Sequence, residues 1–295
     1  MNSNLALIRT FKNFEWTDFC NPTQNDLSEI IEKYNLGVFE IKNSLEPGHL
    51  PKFEKESGYQ FMILRAFNSN LGHGANSITE FSNKIAFFFN DKRLITIHQI
   101  RFDFIDSFNY QFEQVEDLVL FLIHKMINTY QPPLNELDKK IEELENIIFL
   151  KNDINISVDD LYYLKMQTRI TKKLLIIFQE VISQLEVMEK NKSAVQNFKD
   201  RLYQLILKYD EVMENAGNLL NSYHSVNAKK TNDIILLLTV FSAFFLPLSF
   251  IIDVYGMIFE WLPELKLKIG FYYILGLMIF ISLFILVWFK RRKII

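Results

Sequence analysis

The sequence has little that could cross-link the chain or hold a metal tightly. Its 295 residues include one cysteine, Cys20, so an internal disulfide cannot form. Cys20 has no CxxC partner and no Cys/His cluster nearby, which argues against a structural zinc site. With only nine glycines and seven prolines, the composition favours long helices over a turn-rich β architecture.

Charge and motif content exclude several classes of function. The 32 basic and 35 acidic residues nearly cancel, so we expect no nucleic-acid partner. The five histidines form no HxxH or HxxxH pair, and neither a hydrolytic motif nor a Gly-rich phosphate loop is present. We therefore expect no catalytic residues and no ATP-driven pump. The first twelve residues also lack the pattern of a signal peptide.

Two long apolar runs stand near the end of the chain. Residues 234–252 and 269–289 hold 19 and 21 residues without a charge, and each is long enough to cross a hydrocarbon core of about 30 Å. Two such runs so close together argue against the alternative of buried soluble helices. Basic residues flank the pair: Lys229 and Lys230 before it, and Lys290, Arg291, Arg292 and Lys293 after it. By the positive-inside rule, both termini of this multi-pass inner or plasma membrane protein are expected in the cytoplasm.

The pattern along the chain predicts an ordered series of segments. These are a cytoplasmic α/β domain (1–115), a helical hairpin (116–193), a stalk helix continuing into the first span (194–252), an extracytoplasmic loop (253–268), the second span (269–289) and a basic tail (290–295). Within the α/β domain, residues 26–34 predict a helix capped by Asn25, and Asn90-Asp91-Lys92 predicts a hairpin turn. Within the helical hairpin, the second helix is predicted from about residue 158 to residue 190. The stalk would be roughly 88 Å long at about 1.5 Å per residue, so we expect it to pack against copies of itself or neighbouring helices.

The polar residues of the first span recur at a helical spacing. Positions 232, 239, 246 and 253 lie seven apart, and 235, 242, 249 and 256 interleave with them at three and four residues. We call this face the stripe; it comprises Asn232, Ile235, Thr239, Ser242, Leu246, Ser249, Asp253 and Gly256. For any single residue, a hydroxyl bonded to the helix backbone or a small side chain allowing close packing is the ordinary interpretation. For the stripe as a whole we favour a water-lined path, enclosed by a ring of identical helices.

Several short motifs, in this order and spacing, are shared with a known family. They include Trp16-Thr17-Asp18, the run LTVFSAFFLPLSF at 238–250, Tyr255-Gly256-Met257 and Phe259-Glu260. The chain resembles the CorA family of divalent-cation transporters along almost its full length. The resemblance implies an α+β cytoplasmic domain followed by long stalk helices and two C-terminal transmembrane helices, arranged as a funnel in a homopentamer. It also implies that the cargo is Mg²⁺, with Co²⁺ or Ni²⁺ as further candidates, moving inward down its electrochemical gradient.

The same resemblance implies roles for residues of the first span. Asn232 matches the cytoplasmic end of the family's pore, Ile235, Leu238 and Leu246 match its apolar constriction, and Ser249 matches a pore hydroxyl. Leu238 lies one residue away from the stripe, so we keep both Leu238 and Thr239 as candidates. The expected pore-lining set is Asn232, Ile235, Leu238, Thr239, Ser242, Leu246 and Ser249.

The outer mouth departs from the family pattern. The family's Gly-Met-Asn reads Gly256-Met257-Ile258 here, and isoleucine lacks the amide that contacts the waters of a hydrated ion. The expected selectivity loop is Asp253, Tyr255, Gly256, Met257 and Ile258, with the acidic residues Glu260 and Glu264 beside it. Asp253 either compensates for the missing amide by concentrating cations or only caps the loop, and the sequence favours neither.

Regulation and the competing functions are less defined. The family senses ions between cytoplasmic domains, and Asp91 and Asp200 are the candidates here for regulatory Mg²⁺; solvated surface charges are the more ordinary interpretation.

Two functions other than Mg²⁺ transport remain open. One is that of a zinc-transporting relative, which a stripe without His or Cys disfavours. The other is a non-conducting membrane scaffold. Ile258 favours that scaffold, whereas the polar stripe and the basic tail argue against it.

Overall fold

The computed structural model describes residues 6–56, 58–68, 75–150, 157–256 and 270–292. The chain divides into two compact units, Met1–Asn221 and Ser222–Ile295. The first unit contains a sheet and the helices packed on it. The second contains the two long apolar helical segments, and helix α8 contributes residues to both units.

One six-stranded sheet organises the first unit. Its strands are β1 (Ala6–Thr10), β2 (Glu15–Cys20), β3 (Lys52–Glu56), β4 (Tyr59–Phe67), β5 (Ser82–Asn90) and β6 (Arg93–His98). Their spatial order is β1-β2-β6-β5-β4-β3; β2 and β6 run parallel, and every other neighbouring pair is antiparallel. The two central strands β5 and β6 are joined by Asp91 and Lys92, where the sequence predicts a hairpin turn.

The other main elements of the described chain are helices. They are α1 (Gln24–Tyr34), α2 (Val38–Leu45), α3 (Ile78–Phe81), α4 (Asp103–Asp106), α5 (Val115–Asn128), α6 (Gln131–Leu150), α7 (Val158–Gln184), α8 (Lys192–Gly256) and α9 (Gly270–Arg291). A single 3₁₀ turn, Glu189–Asn191, precedes α8. Pro132 and Pro133 lie in the first turn of α6, where a missing backbone N–H costs least.

Strands β4, β5 and β6 are buried on both faces of the sheet, which explains their nearly unbroken apolar sequences. Phe61, Phe88 and Ile97 pack with Leu27 and Ile41 of α1 and α2 in one core cluster. The alternate residues of the same strands point to the opposite face, and α5 and α7 contact that sheet. Buried faces on both sides are typical of strands that read as continuous hydrophobic runs.

Two helix ends differ from the sequence-based expectation. Thr23, not Asn25, caps α1: Asp26 N–H donates to Thr23 Oγ1 over 3.4 Å, and Thr23 N–H donates to Asp26 Oδ2 over 2.7 Å. This reciprocal capping box satisfies two backbone donors, whereas Asn25 lies inside the helix. Helix α7 ends at Gln184 instead of near residue 190, because Leu185 adopts an extended backbone conformation.

Candidate functional site

Helix α8 forms the centre of the candidate site because it holds the stripe without interruption. It is helical from Lys192 to Gly256, so residues 232–256 keep the three- and four-residue spacing that places them on one face. Pro247 lies inside this helix and has no N–H to donate to the carbonyl of Ala243. A membrane helix tolerates such a proline when neighbouring groups satisfy the freed carbonyl.

Helices α8 and α9 are both long and apolar enough to cross a membrane. Many apolar side chains of these two helices are exposed when one chain is considered alone: Leu237 and Leu246 are each 70% exposed, and Tyr273 is 77% exposed. Phe241 and Phe245, on the side of α8 opposite Thr239, stack with ring centroids 4.3 Å apart. Continuous apolar surface of this kind requires a cover, which lipid or other protein chains supply.

The polar members of the stripe are accessible along the helix. Asn232, Thr239, Ser249 and Asp253 are exposed, and Ser242 is half-buried. The Thr239 hydroxyl donates to the carbonyl of Ile235 over 2.7 Å, which leaves the lone pairs of its oxygen as the groups it can offer outward. Leu238 is 62% exposed beside it, so both residues remain candidates for the pore lining.

The C-terminal end of the stripe lies in the last turn of α8. Asp253, Tyr255 and Gly256 are helical, because α8 continues to Gly256, four residues beyond the helix end predicted at residue 252. Met257, Ile258, Glu260 and Glu264 lie outside the described residues. The carboxylate of Asp253 therefore lies in the last turn of a helix, where the backbone carbonyls have no partner within the helix itself. A helix C-terminus and a carboxylate both favour a cation nearby.

Basic residues flank the apolar helices. Lys290 and Arg291 end α9, and the guanidinium of Arg292 lies 6.0 Å from the centroid of the Trp288 ring. Lys229 and Lys230 lie in α8 just before its apolar segment. Lys293 is outside the described residues.

The two candidate regulatory aspartates are surface residues of the first unit. Asp91 is exposed in the turn between β5 and β6, and Asp200 is exposed on α8, where its Oδ1 accepts from Gln196 Nε2 over 2.8 Å. Across the described ranges, no group of three or more His, Cys, Asp or Glu side chains is placed to hold a metal ion. To hold a metal ion, either aspartate would therefore need further ligands from outside the described part of one chain.

Two buried cations in the sheet were not predicted from the sequence. Arg65 in β4 and Lys84 in β5 are directly opposite in the register and are 2% and 5% exposed. Lys84 Nζ donates to the carbonyls of Asn43 and Glu46. Burial, with a smaller effect from Arg65, lowers the pKa of Lys84 to about 8. The available signal was a lone cation in each strand sequence, Arg65 near the end of YQFMILRAF and Lys84 at the start of NKIAFFFN.

Comparison with known proteins agrees with this architecture. The family model described as "CorA-like Mg2+ transporter protein" matches residues 11–291. The cobalt/magnesium transport protein CorA of Thermotoga maritima is 26% identical over 300 residues, covering 94% of this chain and 82% of the relative.

Solved structures show the same fold over nearly the whole chain. The complete structure of the CorA magnesium transporter from Methanocaldococcus jannaschii superposes with a TM-score of 0.81 at 18% identity, covering 99% of both chains. The full-length CmaX protein superposes with a TM-score of 0.78 at 16% identity, covering 99% of this chain and 92% of that one. Together with the family match, the two apolar helices make this an integral membrane protein. The chain belongs to the CorA-like Mg²⁺ transporter protein family, whose members carry divalent cations.

Proposed function

We propose that copies of this chain assemble as a homopentamer whose stripes line one pore for a divalent cation. The cargo is Mg²⁺, with Co²⁺ and Ni²⁺ as further candidates, and it moves inward across the inner or plasma membrane. The observation that carries the proposal is the continuity of α8, which keeps every stripe residue on one face of a helix long enough to span the bilayer.

Exposed apolar side chains support self-association. One helix cannot enclose a pore, so several copies of α8 must surround it. On the part of α8 in the first unit, Tyr203 and Leu207 are 56% and 50% exposed. Apolar groups exposed on a helix outside the apolar segment are best covered by another protein chain. The number of copies is taken from the resemblance to the family.

The chemistry of the stripe suits an ion that keeps its water. Mg²⁺ sheds its waters slowly, so amide, hydroxyl and carbonyl oxygens that accept hydrogen bonds from a hydrated ion are appropriate. Asn232, Thr239, Ser242 and Ser249 offer these groups, and the apolar side chains Ile235, Leu238 and Leu246 narrow the path between them. Softer metals such as zinc prefer His and Cys, which the stripe lacks.

The basic residues set the proposed orientation. Lys229 and Lys230, with Lys290 to Lys293, form a basic ring on the cytoplasmic side, so both termini and residues 1–193 face the cytoplasm. Residues 257–269 then connect the two helices on the outer side. A membrane potential that is negative inside draws cations inward with about 4.6 kcal/mol per 100 mV for a double charge.

The outer mouth works without the family's asparagine in this proposal. In a pentamer, Asp253 contributes five carboxylates, while the carbonyls of Tyr255, Gly256 and Met257 supply neutral acceptors. Glu260 and Glu264 add to the negative potential of the loop. Negative charge around a narrow entrance raises the local cation concentration.

Mg²⁺ also serves as the regulatory ligand in this proposal. Asp91 and Asp200, on opposite sides of a contact between neighbouring copies, would share bound Mg²⁺ and stabilise the closed state. Because a ligand shifts an equilibrium toward the state that it binds better, abundant internal Mg²⁺ would reduce its own uptake.

Mg²⁺ uptake into proteoliposomes tests the function directly. The unmodified protein is compared with an Ile258→Asn variant, with Co²⁺ and Zn²⁺ as competitors. Robust uptake by the unmodified protein, inhibited by Co²⁺, supports the proposal. It also indicates that Asp253 and the loop carbonyls attract the ion at the pore mouth without the asparagine amide. Selective inhibition by Zn²⁺ with Zn²⁺ uptake favours the zinc-transporting alternative. Absence of uptake until asparagine is introduced favours the non-conducting scaffold.

A further inference from the structure

Two cations lie side by side inside the sheet of the first unit. Arg65 of β4 and Lys84 of β5 are directly opposite in an antiparallel register, so their side chains leave the same face of the sheet. They are only 2% and 5% exposed. Like charges directly opposite each other destabilise a strand pair, and burial adds the cost of removing both charges from water. The pair therefore needs a compensating group.

Hydrogen bonds to the protein compensate the two cations only in part. All their acceptors are neutral: the carbonyls of Asn43, Glu46, Pro47, His49 and Ser82, and the hydroxyl of Ser82. Arg65 uses four of its five N–H groups in these bonds, and Lys84 uses two of its three. One N–H group of each cation therefore has no acceptor among the described residues.

The carboxylates nearest in the chain do not neutralise the pair. Neither cation forms a salt bridge with a described residue. The side chain of Glu46 is exposed, and it affects the pKa of Lys84 less than burial and Arg65 do. Glu80 of α3 is also exposed, and its carboxylate accepts from the Ser77 hydroxyl over 2.6 Å. The two positive charges are left for another ligand to balance.

A small cavity lies beside the two cations. Its volume is about 40 Å³, and the side chains of Thr79, Asn83 and Gln99 line it together with Arg65 and Lys84. Hydroxyl and amide groups can donate hydrogen bonds, and none of the described residues that line the cavity carries a carboxylate. A water-sized sphere takes about 10–15 Å³, so a single-atom anion and a water fit this space, whereas a five-atom oxyanion does not.

We propose that this cavity is a binding site for a small inorganic anion, with chloride as the ligand, held by Arg65 and Lys84. One negative charge beside the two cations reduces their repulsion and accepts the N–H groups that the protein leaves over. Unfolding separates the two cations, so chloride binds the folded chain and stabilises it by mass action. The site lies within the first unit and is independent of the proposed transport function.

The charge on Lys84 gives the site a pH dependence of definite sign. Burial and, to a smaller extent, Arg65 lower the pKa of Lys84 to about 8, while Glu46 acts in the opposite direction. Lys84 is therefore charged at neutral pH and becomes neutral at higher pH. Because an anion prefers the ammonium form, chloride affinity falls as the pH rises above 8, and bound chloride in turn raises the pKa of Lys84.

Thermal unfolding of the full-length protein in detergent tests the site. Chloride replaces gluconate, which is too large for the cavity, at constant ionic strength. We expect the unfolding midpoint at pH 7 to rise with chloride and to saturate. At about pH 9.5 the half-saturating concentration should be at least about fivefold higher. A midpoint that does not saturate, or an equal half-saturating concentration at both pH values, overturns the proposal.

Three methionine variants separate the site from a general effect of salt. Lys84→Met and Arg65→Met each remove one of the buried charges, and Lys42→Met makes the same kind of change at an exposed position of α2. We expect Lys42→Met to respond to chloride as the unmodified protein does, and the other two to need at least about fivefold more chloride. Equal responses in all four proteins overturn the site.

Crystals of the unmodified protein grown in bromide give a test that needs no variant. Bromide has the charge of chloride and nearly its size, and its anomalous scattering locates it. We expect an anomalous peak in the cavity, in contact with the Arg65 guanidinium and Lys84 Nζ. A cavity that holds only water, at a bromide concentration that saturates the unfolding midpoint, overturns the proposal.

Discussion

Asp253 is the residue on which the proposed pore mouth most depends. Its carboxylate lies in the last turn of α8, five residues before Ile258, the position where the resemblance predicts the family's asparagine. We predict that Asp253→Asn raises the Mg²⁺ concentration for half-maximal uptake about three- to tenfold, because it removes the ring of negative charge. Initial uptake rates at graded Mg²⁺ concentrations measure this.

Ionic strength provides the control for the Asp253 prediction. Attraction by exposed carboxylates is screened by salt, so the difference between Asp253→Asn and the unmodified protein should shrink as the salt concentration rises. Identical half-maximal concentrations in the two proteins at low salt would contradict the hypothesis that Asp253 compensates for the missing amide. Asp253 would then only cap the loop at the end of the helix.

Lys84 gives a pH dependence with a definite sign. Its pKa falls from the ordinary 10.5 to about 8, because burial disfavours the ammonium form. Between these values the unfolded chain holds a proton that the folded chain has lost, so stability rises with pH and the gain is lost as pH falls through 8. We predict that, from pH 8 to 10, the unmodified protein gains about 1–2 kcal/mol relative to Lys84→Met.

Thermal unfolding of the full-length protein in detergent measures this difference. The Met variant keeps the length of the side chain and lacks the titrating group, so other groups that titrate in this range cancel in the comparison. Parallel pH profiles of the two unfolding midpoints would contradict a depressed pKa at Lys84.

Single residues were the least predictable level from the sequence. Thr23 caps α1 although Asn25 is an equally suitable residue type, because the reciprocal bonds with Asp26 depend on backbone geometry. Arg65 and Lys84 were missed since their partners, the backbone carbonyls of residues 43–49 and, for Arg65, also Ser82, are not identified by sequence patterns. The roles of the stripe residues remain predictions.

At the scale of elements, α8 makes the stripe testable by accessibility. In a Cys20→Ser background, single cysteines at Thr239, Ser242 and Ser249 probe the stripe, and cysteines at Leu237, Phe244 and Ile251 probe the opposite face. We predict that a charged thiol reagent modifies the stripe cysteines at least about tenfold faster, because thiols facing hydrocarbon stay protonated and unreactive.

The pattern of labelling around the helix decides the interpretation. Equal labelling on both faces, or faster labelling opposite the stripe, would show that water does not follow this face. The serine and threonine hydroxyls would then be left with the ordinary role of bonding to backbone carbonyls, as Thr239 does with Ile235.

Long periodic elements were predictable, and their ends were less so. The apolar pattern predicts a helix over 194–252, and α8 runs from Lys192 to Gly256. The end of α7 lies at Gln184, several residues before the predicted end near 190, because the charged residues around 186–190 fit a helical pattern equally well. Local propensity is weak at such boundaries, and the tertiary context decides them.

At the scale of the whole molecule, the sheet topology was beyond the sequence. Its strand order places β2 beside β6, which lies more than 70 residues later in the chain. Periodicity reveals strands but not their distant partners. The fold class was predictable, since it follows from the order of an α/β segment, long helices and two apolar runs, and the comparisons confirm it.

In the proposed function, Mg²⁺ passes through the homopentamer passively, driven by the membrane potential. The most direct test is Mg²⁺ entry into proteoliposomes under an imposed potassium diffusion potential, read by an internal Mg²⁺ indicator. We predict that entry accelerates when the interior is negative and is suppressed when it is positive, since a double charge gains about 4.6 kcal/mol per 100 mV. Mg²⁺ entry that is absent, or equal at both polarities, would contradict it.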